Sequence, residues 1–348
     1  MDMSRNYVTI CIFVCNLKGA EMGRTIVGKA LLGLLGGCLA LGVAARDLEL
    51  AEIHPPAHVL VQSELYMAQH LAASTRGALQ LQVRHSAQLG NEGDSWRKVK
   101  EGSLDLARIN LSALVNDVPA VKLLSLPYLF RSREHMWRVL EGDFGKRLRA
   151  EAEKIDVVVL AYYDSGTRSF YTTKRPIRSL ADFQGLRIRV QDSPVYKDLI
   201  ESLGGTPVVL AYDKINEAFA RGEIDGAENN TPSYVSSGHY KHARYFSLDE
   251  HSSVPEVLVM SRKRWLALSE PEQKALSEAA QVSSEYMRRL WAESEAQSLA
   301  KARKEGVIVT EKSQIAMSGI ESFAVKLYSK YITNYPDMET VLAILRTK

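Results

Sequence analysis

Residues 186–210 have the sequence LRIRVQDSPVYKDLIESLGGTPVVL, and this stretch indicates the fold class. Apolar and polar side chains alternate through residues 186–191, which predicts a β-strand with one buried face. Ser193-Pro194 then provides a helix cap and a first residue whose φ is already helical, and Gly204-Gly205 ends the helix. A second apolar run, at residues 207–210, completes a strand–helix–strand unit.

The same alternation of short apolar runs and helical patterns occurs throughout the chain. The other predicted strands cover residues 48–53, 79–85, 104–109 and 157–162, and the other predicted helices cover residues 59–74, 94–101 and 214–221. Such alternation predicts an α/β protein with mostly parallel sheets, in which ligands bind at the carboxyl ends of strands. A chain of this length usually divides into two lobes.

A long helix is predicted after residue 268. Ser269-Glu270-Pro271-Glu272 has the pattern of a capping box with proline in the first turn, and neither proline nor glycine follows until Gly306. The stretch permits one helix of about 36 residues, roughly 54 Å long. A helix of that length exceeds one lobe, although it could also pack on a single lobe.

Residue types suited to a carboxylate ligand occur in three separated blocks. The blocks are GTRSF at residues 166–170, LRIRV at residues 186–190 and DGAENN at residues 225–230. A guanidinium binds a carboxylate through two parallel charge-assisted hydrogen bonds, which lysine cannot reproduce, and an amide can donate beside it. The arginines and asparagines of these blocks therefore indicate a site that holds a small acid.

The strand pattern leaves two arginines as equal candidates for that contact. Alternation places Arg187 and Arg189 on the same polar face, and either could instead be a solvated arginine at a sheet edge. Arg168 follows the turn after the strand at residues 157–162, which predicts a position at the carboxyl end of a strand. Asn229 follows a short predicted strand and turn.

Together with QLGNE at residues 88–92 and EHSS at residues 250–253, these blocks resemble the DctP family. This family comprises the periplasmic solute-binding proteins of TRAP (tripartite ATP-independent periplasmic) transporters, and the resemblance covers about residues 48–345. Residues 229–234, NNTPSY, are similar to the subgroup that carries sugar acids such as glucuronate and galacturonate. The resemblance implies a two-lobed α/β periplasmic binding protein with a cleft between the lobes, hinge strands and a long helix spanning both lobes.

The same resemblance implies the domain boundaries and the partners. Lobe one would comprise about residues 46–164 plus 254–294, and lobe two about residues 165–253 plus 295–348. The protein would be a monomer that captures a carboxylate sugar acid and delivers it to membrane permease subunits. An ion gradient would drive that transport, with no ATP and no cofactor.

The resemblance also assigns the binding residues. It places the carboxylate clamp at Arg189, a second contact at Arg168 and an orienting amide at Asn229. Glu92 would accept hydrogen bonds from sugar hydroxyls, although it could also be an acid that stabilises a helix N-terminus. Further candidates, each with simple packing or solvation as the alternative, are Asn230, Asn110, His54, Tyr212 and Tyr234.

The first 45 residues have the features of a targeting segment. Arg24 and Lys29 precede an apolar run that ends in small residues, which is typical of a cleavable signal peptide. We therefore expect an exported periplasmic protein whose true start is Met22. All three cysteines lie in this segment, so the mature chain would have no disulfide, and Cys38 in LGGC offers a lipid anchor as an alternative. The run falls short of the roughly 20 residues that span a bilayer.

Other classes of function have less support in the sequence. A formal net charge of +3 does not suggest nucleic acid, and the glycine patterns contain no nucleotide-binding fingerprint. His239, His242 and His251 lack the spacing of a metal site. No catalytic residues are predicted, because neither a nucleophile elbow nor a paired-carboxylate signature is present. The alternatives are a binding protein that feeds a sensor and a periplasmic enzyme acting on sugar acids.

Overall fold

The computed structural model describes residues 45–348, which form a mixed α/β structure with two β-sheets. The predicted signal peptide, the start at Met22 and the lipid anchor at Cys38 lie outside the described residues. The strands are β1 (Arg46–Ala51), β2 (Leu79–Arg84), β3 (Leu106–Asn110), β4 (Val157–Tyr163), β5 (Arg168–Thr172), β6 (Arg187–Val190), β7 (Thr206–Val209), β8 (Gly226–Asn229), β9 (Tyr245–Ser252), β10 (Glu256–Ser261) and β11 (Ile308–Thr310). The α-helices are α1 (Val59–Ser74), α2 (Glu92–Glu101), α3 (Val121–Leu124), α4 (Arg133–Glu141), α5 (Asp143–Glu153), α6 (Pro194–Ser202), α7 (Ile215–Ala220), α8 (Thr231–Ser236), α9 (Arg262–Trp265), α10 (Glu270–Lys304), α11 (Met317–Tyr331) and α12 (Tyr335–Arg346).

Sheet one has the strand order β2-β1-β3-β10-β4, and sheet two has the order β11-β9-β5-β8-β6-β7. The predicted strand–helix–strand unit is β6-α6-β7, and its two strands pair in parallel. The expectation of mostly parallel sheets is only partly correct. Strand β10 runs antiparallel to β3 and β4, and β5 runs antiparallel to β8 and β9. These antiparallel strands are the ones by which the chain passes between the sheets.

Two strand-to-strand connections and one helix link the two sheets. Strand β4 of sheet one continues through residues 164–167 into β5 of sheet two, and β9 returns through residues 253–255 to β10. Neither connection contains a helix, so each is a short segment whose backbone can act as a hinge. These connections correspond to the predicted hinge strands.

Helix α10 is the third link, and it confirms the prediction of a long helix. It has 35 residues, so it is roughly 52 Å long. Ser269 caps it, because Glu272 Oε2 accepts hydrogen bonds from the Ser269 N–H at 2.7 Å and from its hydroxyl at 2.8 Å. The helix packs against α1 and β4 on the side of sheet one and against α8 on the side of sheet two. Its buried face includes Leu276, Ala279 and Met287, as the three- and four-residue spacing predicts.

The C-terminal helices pack against the segment between β3 and β4. Lys122 Nζ lies 3.0 Å from Asp337 Oδ2, and the Tyr328 hydroxyl donates to the Pro127 carbonyl at 2.9 Å. A ring nitrogen of His135 lies 2.8 Å from the carbonyl of Ile344. The chain's last two helices therefore contact residues that precede β4, and the lobe boundaries given above stay a prediction.

Within residues 45–348, no helix has both the length and the apolar composition required to cross a membrane.

Candidate functional site

A cavity of about 290 Å³ lies between the two sheets, near the lower end of the sizes usual for small-molecule sites. Both sheets contribute to its walls. The residues that contribute from sheet one and its helices include Ile53, His54, Asn91, Glu92, Arg108, Asn110, Ser112 and Glu256. Those from sheet two and its helices include Arg168, Arg189, Gln191, Leu210, Tyr212, Asn229, Asn230 and Ser233.

Arg189, on β6, is a buried arginine with no carboxylate partner. Its Nε and Nη2 donate to the Leu210 carbonyl at 2.9 and 2.7 Å, and its Nη1 has no hydrogen-bond partner among the described residues. Burial lowers the pKa of Arg189, and the field of Glu228 only partly opposes this. A buried donor without a partner is costly, and more so when it is charged. Arg189 also lines the cavity, so it is a cavity residue whose charge the described protein leaves unpaired.

Arg187 differs from Arg189 although both are on the same face of β6. Its side chain is 41% exposed, and it forms a two-point ion pair with Asp225, with Nε–Oδ2 at 2.8 Å and Nη2–Oδ1 at 3.1 Å. Arg187 does not line the cavity. Of the two arginines that alternation left equal, only Arg189 therefore lies in the cleft.

Arg168 lines the cavity, but its guanidinium is already paired. Nη2 donates to Glu228 Oε1 at 2.8 Å, Nε donates to Glu228 Oε2, and Nη1 donates to Asn229 Oδ1 at 3.0 Å. Burial alone would raise the pKa of Glu228, but the charge of Arg168 lowers it to about 2. Arg168 follows the turn after β4, as the sequence predicts, and it is the first residue of β5. Because β5 is antiparallel to β8 and Ser169 pairs with Asn229, Arg168 lies at the end of the sheet where β8 terminates.

His251 completes the charge balance behind Arg168. Its Nδ1 lies 2.9 Å from Asp249 Oδ2 and its Nε2 lies 3.6 Å from Glu228 Oε2. Burial would lower the pKa of His251, but the two carboxylates outweigh it and raise the pKa to about 9. The ring also stacks on Phe170 with centroids 4.2 Å apart. We call the cavity side formed by Arg168, Arg189 and Asn229 the cationic wall.

Two adjacent asparagines add amide donors to the cationic wall. Asn229 ends β8, where its Oδ1 accepts from Arg168, and Asn230 caps α8, where its Oδ1 accepts from the Ser233 N–H at 2.7 Å. The Nδ2 group of each donates to no described residue. Both side chains reach the cavity because the chain turns from strand to helix between them, as residues Thr231-Pro232 made possible.

The opposite side of the cavity is lined by Arg108, Glu92 and Glu256, and Glu52, which does not line the cavity, pairs with Arg108; we call these four residues the acidic wall. Nε and Nη2 of Arg108 donate to the two oxygens of Glu52, each at 2.7 Å. Nη1 donates to Glu92 Oε1 at 2.9 Å and also to Glu256 Oε2. Burial opposes ionisation of Glu52, but Arg108 and His54 hold its pKa well below the usual value. Arg108 therefore has its donors committed to protein carboxylates.

Asn110 and Glu92 are fixed within this wall. Asn110 Nδ2 donates to Glu256 Oε1 at 3.1 Å, and the Asn110 N–H donates to Glu92 Oε1 at 2.8 Å. Glu92 is at the first position of α2, where the helix dipole favours a carboxylate. It therefore also stabilises the N-terminus of this helix, which was the alternative role given for it above. Burial nonetheless raises the pKa of Glu92, against the charge of Arg108.

His54 and Tyr212 meet at the side of the cavity where elements of the two sheets approach each other. Their rings are in edge contact with centroids 5.1 Å apart, and His54 Nδ1 lies 2.7 Å from Glu52 Oε1. His58 Nε2 reaches Ser233 Oγ of α8 at 3.2 Å. A further bridge joins Ser112 Oγ to Gln191 Oε1 at 2.8 Å.

The structure brings all but one of the predicted binding residues to a single cavity. The exception is Tyr234, which is fully buried in the second core beside Tyr171 and Phe246. Its hydroxyl donates to the Ala243 carbonyl at 2.6 Å, so it is occupied away from the cleft. Tyr234 is on the inner face of α8, although it is only five residues from Asn229.

Several cavity residues were not found from the sequence, namely Arg108, Glu256, Gln191, Ser112 and Ser233. One signal was available for Arg108, because it is a charged residue between the apolar residues Leu106, Ala107 and Ile109 of a predicted strand. A charge in a buried strand requires a partner. Glu256 is separated from Arg108 by 148 positions, and no local pattern indicates their pairing.

The three clustered histidines occupy different surroundings. His239 Nδ1 lies 2.8 Å from the Tyr171 hydroxyl, and burial lowers the pKa of His239 to about 3. His242 stacks on Phe219 with centroids 5.9 Å apart. His251 contacts both Asp249 and Glu228, as described above.

Comparison with known proteins agrees with this geometry. A family model described as bacterial extracellular solute-binding protein, family 7 (DctP) matches residues 50–334. A solute-binding protein of Chromohalobacter salexigens is 33% identical over 326 residues, which are 93% of this chain and 96% of that protein.

Solved structures of TRAP periplasmic solute-binding proteins have the same two-lobed fold. One from Bradyrhizobium sp. BTAi1, in complex with α/β-D-galacturonate, is 40% identical, covers 87% of this chain and all of its own, and has a TM-score of 0.83. Another, from Chromohalobacter salexigens with bound D-glucuronate, is 33% identical, covers 86% of this chain and all of its own, and has a TM-score of 0.82. The chain therefore belongs to the DctP family, the periplasmic solute-binding proteins of TRAP transporters.

Proposed function

We propose that this protein captures a hexuronate, glucuronate or galacturonate, in the cleft between its lobes and delivers it to the membrane permease of a TRAP transporter. The observation that carries the proposal is that Arg189, which lines a cavity of small-molecule size, has a buried Nη1 with no acceptor among the described residues. A carboxylate is the acceptor that a guanidinium binds best.

The cationic wall offers a complete set of donors for one carboxylate. Leu210 uses two of the five N–H groups of Arg189, so the Nη1–Nη2 edge keeps hydrogens for a ligand. The Nδ2 groups of Asn229 and Asn230 add neutral donors at the same wall. Arg168 is neutralised by Glu228, so its role is to hold Asn229 in place and to contribute a weaker second contact.

The acidic wall suits the hydroxyl end of a sugar acid. Hydroxyl groups donate hydrogen bonds, and Glu92, Asn110, His54 and Tyr212 supply acceptors or mixed donors and acceptors on this side. The bound galacturonate and glucuronate of the Bradyrhizobium and Chromohalobacter proteins support this class of ligand by similarity. No step of bond making or breaking is required, so the protein releases its ligand unchanged and is not an enzyme.

Closure of the lobes is the mechanism of capture. Lobe one, residues 46–164 plus 254–294, would carry the acidic wall, and lobe two, residues 165–253 plus 295–348, the cationic wall. A ligand that touches both walls binds the closed state more tightly than the open one, and only this difference can shift the equilibrium. The Ser112–Gln191 hydrogen bond, at 2.8 Å, would form on closure together with the ligand contacts.

The role in transport includes two further parts. The chain would be exported to the periplasm by the cleavable segment that ends near residue 45, and would act as a monomer. The closed form would present its surface to the permease, which uses an ion gradient. Uptake of labelled glucuronate by vesicles that contain the permease tests this: it should require the binding protein and the gradient, and an unaltered rate without the binding protein would contradict it.

Calorimetry with D-glucuronate and D-galacturonate tests the ligand assignment. The purified protein should bind at least one of them, and NMR of the recovered ligand should show no chemical change. Arg189→Lys should bind at least tenfold more weakly, because an ammonium cannot make the two-point contact. Equal affinity of Arg189→Lys and wild type would disprove the clamp, and binding of amino acids alone would disprove the uronate assignment.

A further inference from the structure

The acidic wall contains more carboxylates than its single arginine can neutralise. Arg108 supplies one positive charge to Glu52, Glu92 and Glu256, with contacts to each. A fourth carboxyl, Glu64 of α1, is fully buried, and burial and the neighbouring Glu52 raise the pKa of Glu64 well above its usual value, so it is neutral and adds no charge. Glu52, Glu92 and Glu256 are three carboxylates against Arg108 and the ring of His54, whose Nδ1 lies 2.7 Å from Glu52 Oε1, so this side of the cavity has a negative potential.

Glu92 brings an unused acceptor to the cavity surface. Its Oε1 accepts from both Arg108 Nη1 and the Asn110 N–H, whereas its Oε2 accepts no hydrogen bond from a described residue. The side chain keeps 17% of its surface accessible, so Glu92 is the member of the wall that a ligand meets directly. Glu256 is beside it and also lines the cavity.

The opposite wall has the reverse character. Arg168 is paired with Glu228, so Arg189 is the cation of this wall without a carboxylate partner in the described chain. The cavity therefore presents one unpaired cation at one side and surplus carboxylates at the other. This arrangement matches a molecule with one carboxylate at one end and hydroxyl donors at the other.

We infer that the acidic wall makes this protein selective for sugar acids with a single carboxylate and causes it to reject aldarates, the sugar diacids with a carboxylate at each end. The inference rests on the proposed function and adds the rule that separates ligands within the sugar-acid class. Glu92 is the main cause of this selectivity between sugar acids and sugar diacids, and Glu256 adds to it. An aldarate held by Arg189 would bring its second carboxylate against these two side chains, and like charges at a dehydrated contact are strongly unfavourable.

The test compares D-glucuronate with D-glucarate. In glucarate, C1 of glucuronate is oxidised to a second carboxylate. For the wild type we expect glucarate to bind on the order of 100-fold more weakly than glucuronate, or not at all. Glu92→Gln keeps the Oε1 acceptor for Asn110 and removes the charge. We therefore expect this variant to narrow the ratio of the two dissociation constants at least tenfold.

Glu101→Gln is the matched control. It makes the same charge change at the other end of α2, where Glu101 is exposed and pairs with Arg97 at 3.1 Å. This variant should leave the ratio as in the wild type. Thermal unfolding of both variants checks that the fold is intact.

Two outcomes would overturn the inference while leaving the proposed function in place. One is a wild type that binds glucarate within tenfold of glucuronate. The other is weak glucarate binding that Glu92→Gln does not improve, which would mean that shape rather than charge excludes it. If the wild type binds neither uronate, the proposed function itself fails, so the two failures are distinguishable.

Discussion

Arg108 of the acidic wall and Arg189 of the cationic wall are both buried, but their hydrogen-bond partners differ. Arg108 reaches three carboxylates and has its guanidinium edges occupied. Arg189 meets one backbone carbonyl and keeps Nη1 without a partner among the described residues. Burial alone therefore does not identify a ligand-binding arginine. The lack of a counterion identifies it, because a buried charge that the protein leaves unpaired requires a partner from a ligand.

Replacement of each arginine by methionine, a side chain of similar length, tests this contrast directly. Arg108→Met should have the largest effect, a loss of roughly 3–5 kcal/mol in the free energy of unfolding, because Glu52, Glu92 and Glu256 all lose their arginine partner. Urea denaturation measures this loss. A variant as stable as the wild type would show that the acidic wall does not depend on Arg108.

Arg189→Met should affect binding rather than stability. No carboxylate loses a partner, so the free energy of unfolding without ligand should change by no more than about 1 kcal/mol. The affinity for glucuronate should fall by roughly 2–5 kcal/mol, because the ligand carboxylate loses its charged donor. Calorimetry and urea denaturation on the same preparation separate the two effects, and a large loss of stability would remove the distinction between the walls.

The pH dependence of stability tests the charge of His251, which contacts Glu228, the partner of Arg168. The pKa of His251 is raised from 6.5 to about 9, so its charged form stabilises the native state. That contribution is complete below about pH 6.5 and is lost as the pH rises through about 9. The contribution should be about 3 kcal/mol, since the pKa shifts from 6.5 to about 9 and one pKa unit corresponds to 1.36 kcal/mol.

The measurement is the difference in unfolding free energy between the wild type and His251→Gln at several pH values from 6 to 10. This difference should shrink as the pH rises. His85→Gln is the control, because His85 is near the surface and contacts only the hydroxyl of Ser86, at 3.0 Å. A difference that stays constant for His251→Gln would mean that this ring is neutral in the folded protein.

Arg187→Ala should have the smallest effect. The side chain is 41% exposed and pairs with Asp225, which Lys174 also contacts at 2.7 Å. Surface ion pairs contribute about 0–1 kcal/mol, so stability should change by less than about 1 kcal/mol and glucuronate affinity should not change. Loss of glucuronate binding in this variant would contradict the assignment of Arg189, rather than Arg187, as the ligand-binding arginine.

Local sequence patterns predicted the elements well because each depends on nearby residues. The absence of proline and glycine between Pro271 and Gly306 was sufficient for α10, and the alternation at residues 186–191 was sufficient for β6. Alternation could not choose between Arg187 and Arg189, since it defines a face and not a position along the strand. Asp225, which is distant in sequence, forms an ion pair with Arg187 and so leaves Arg189 as the arginine of the cleft.

The limits of sequence reasoning are clearest where a contact joins distant residues. The pairing of Arg108 with Glu256 joins neighbouring antiparallel strands, and antiparallel pairing is what the repeated strand–helix pattern did not predict. Tyr234 shows the opposite difficulty. It is close to Asn229 in sequence, but the first turn of α8 directs it into the core.

The three passages of the chain between the sheets affect the order in which the protein can be built. Strand β10 lies between β3 and β4, so sheet one stays divided until residue 261 is available. Sheet two acquires its edge strand β11 only with residue 310. A ribosome therefore has to synthesise most of this polypeptide before either half can be finished. Until then the growing chain has no completed sheet, which would suit export before folding, as the proposed periplasmic location requires.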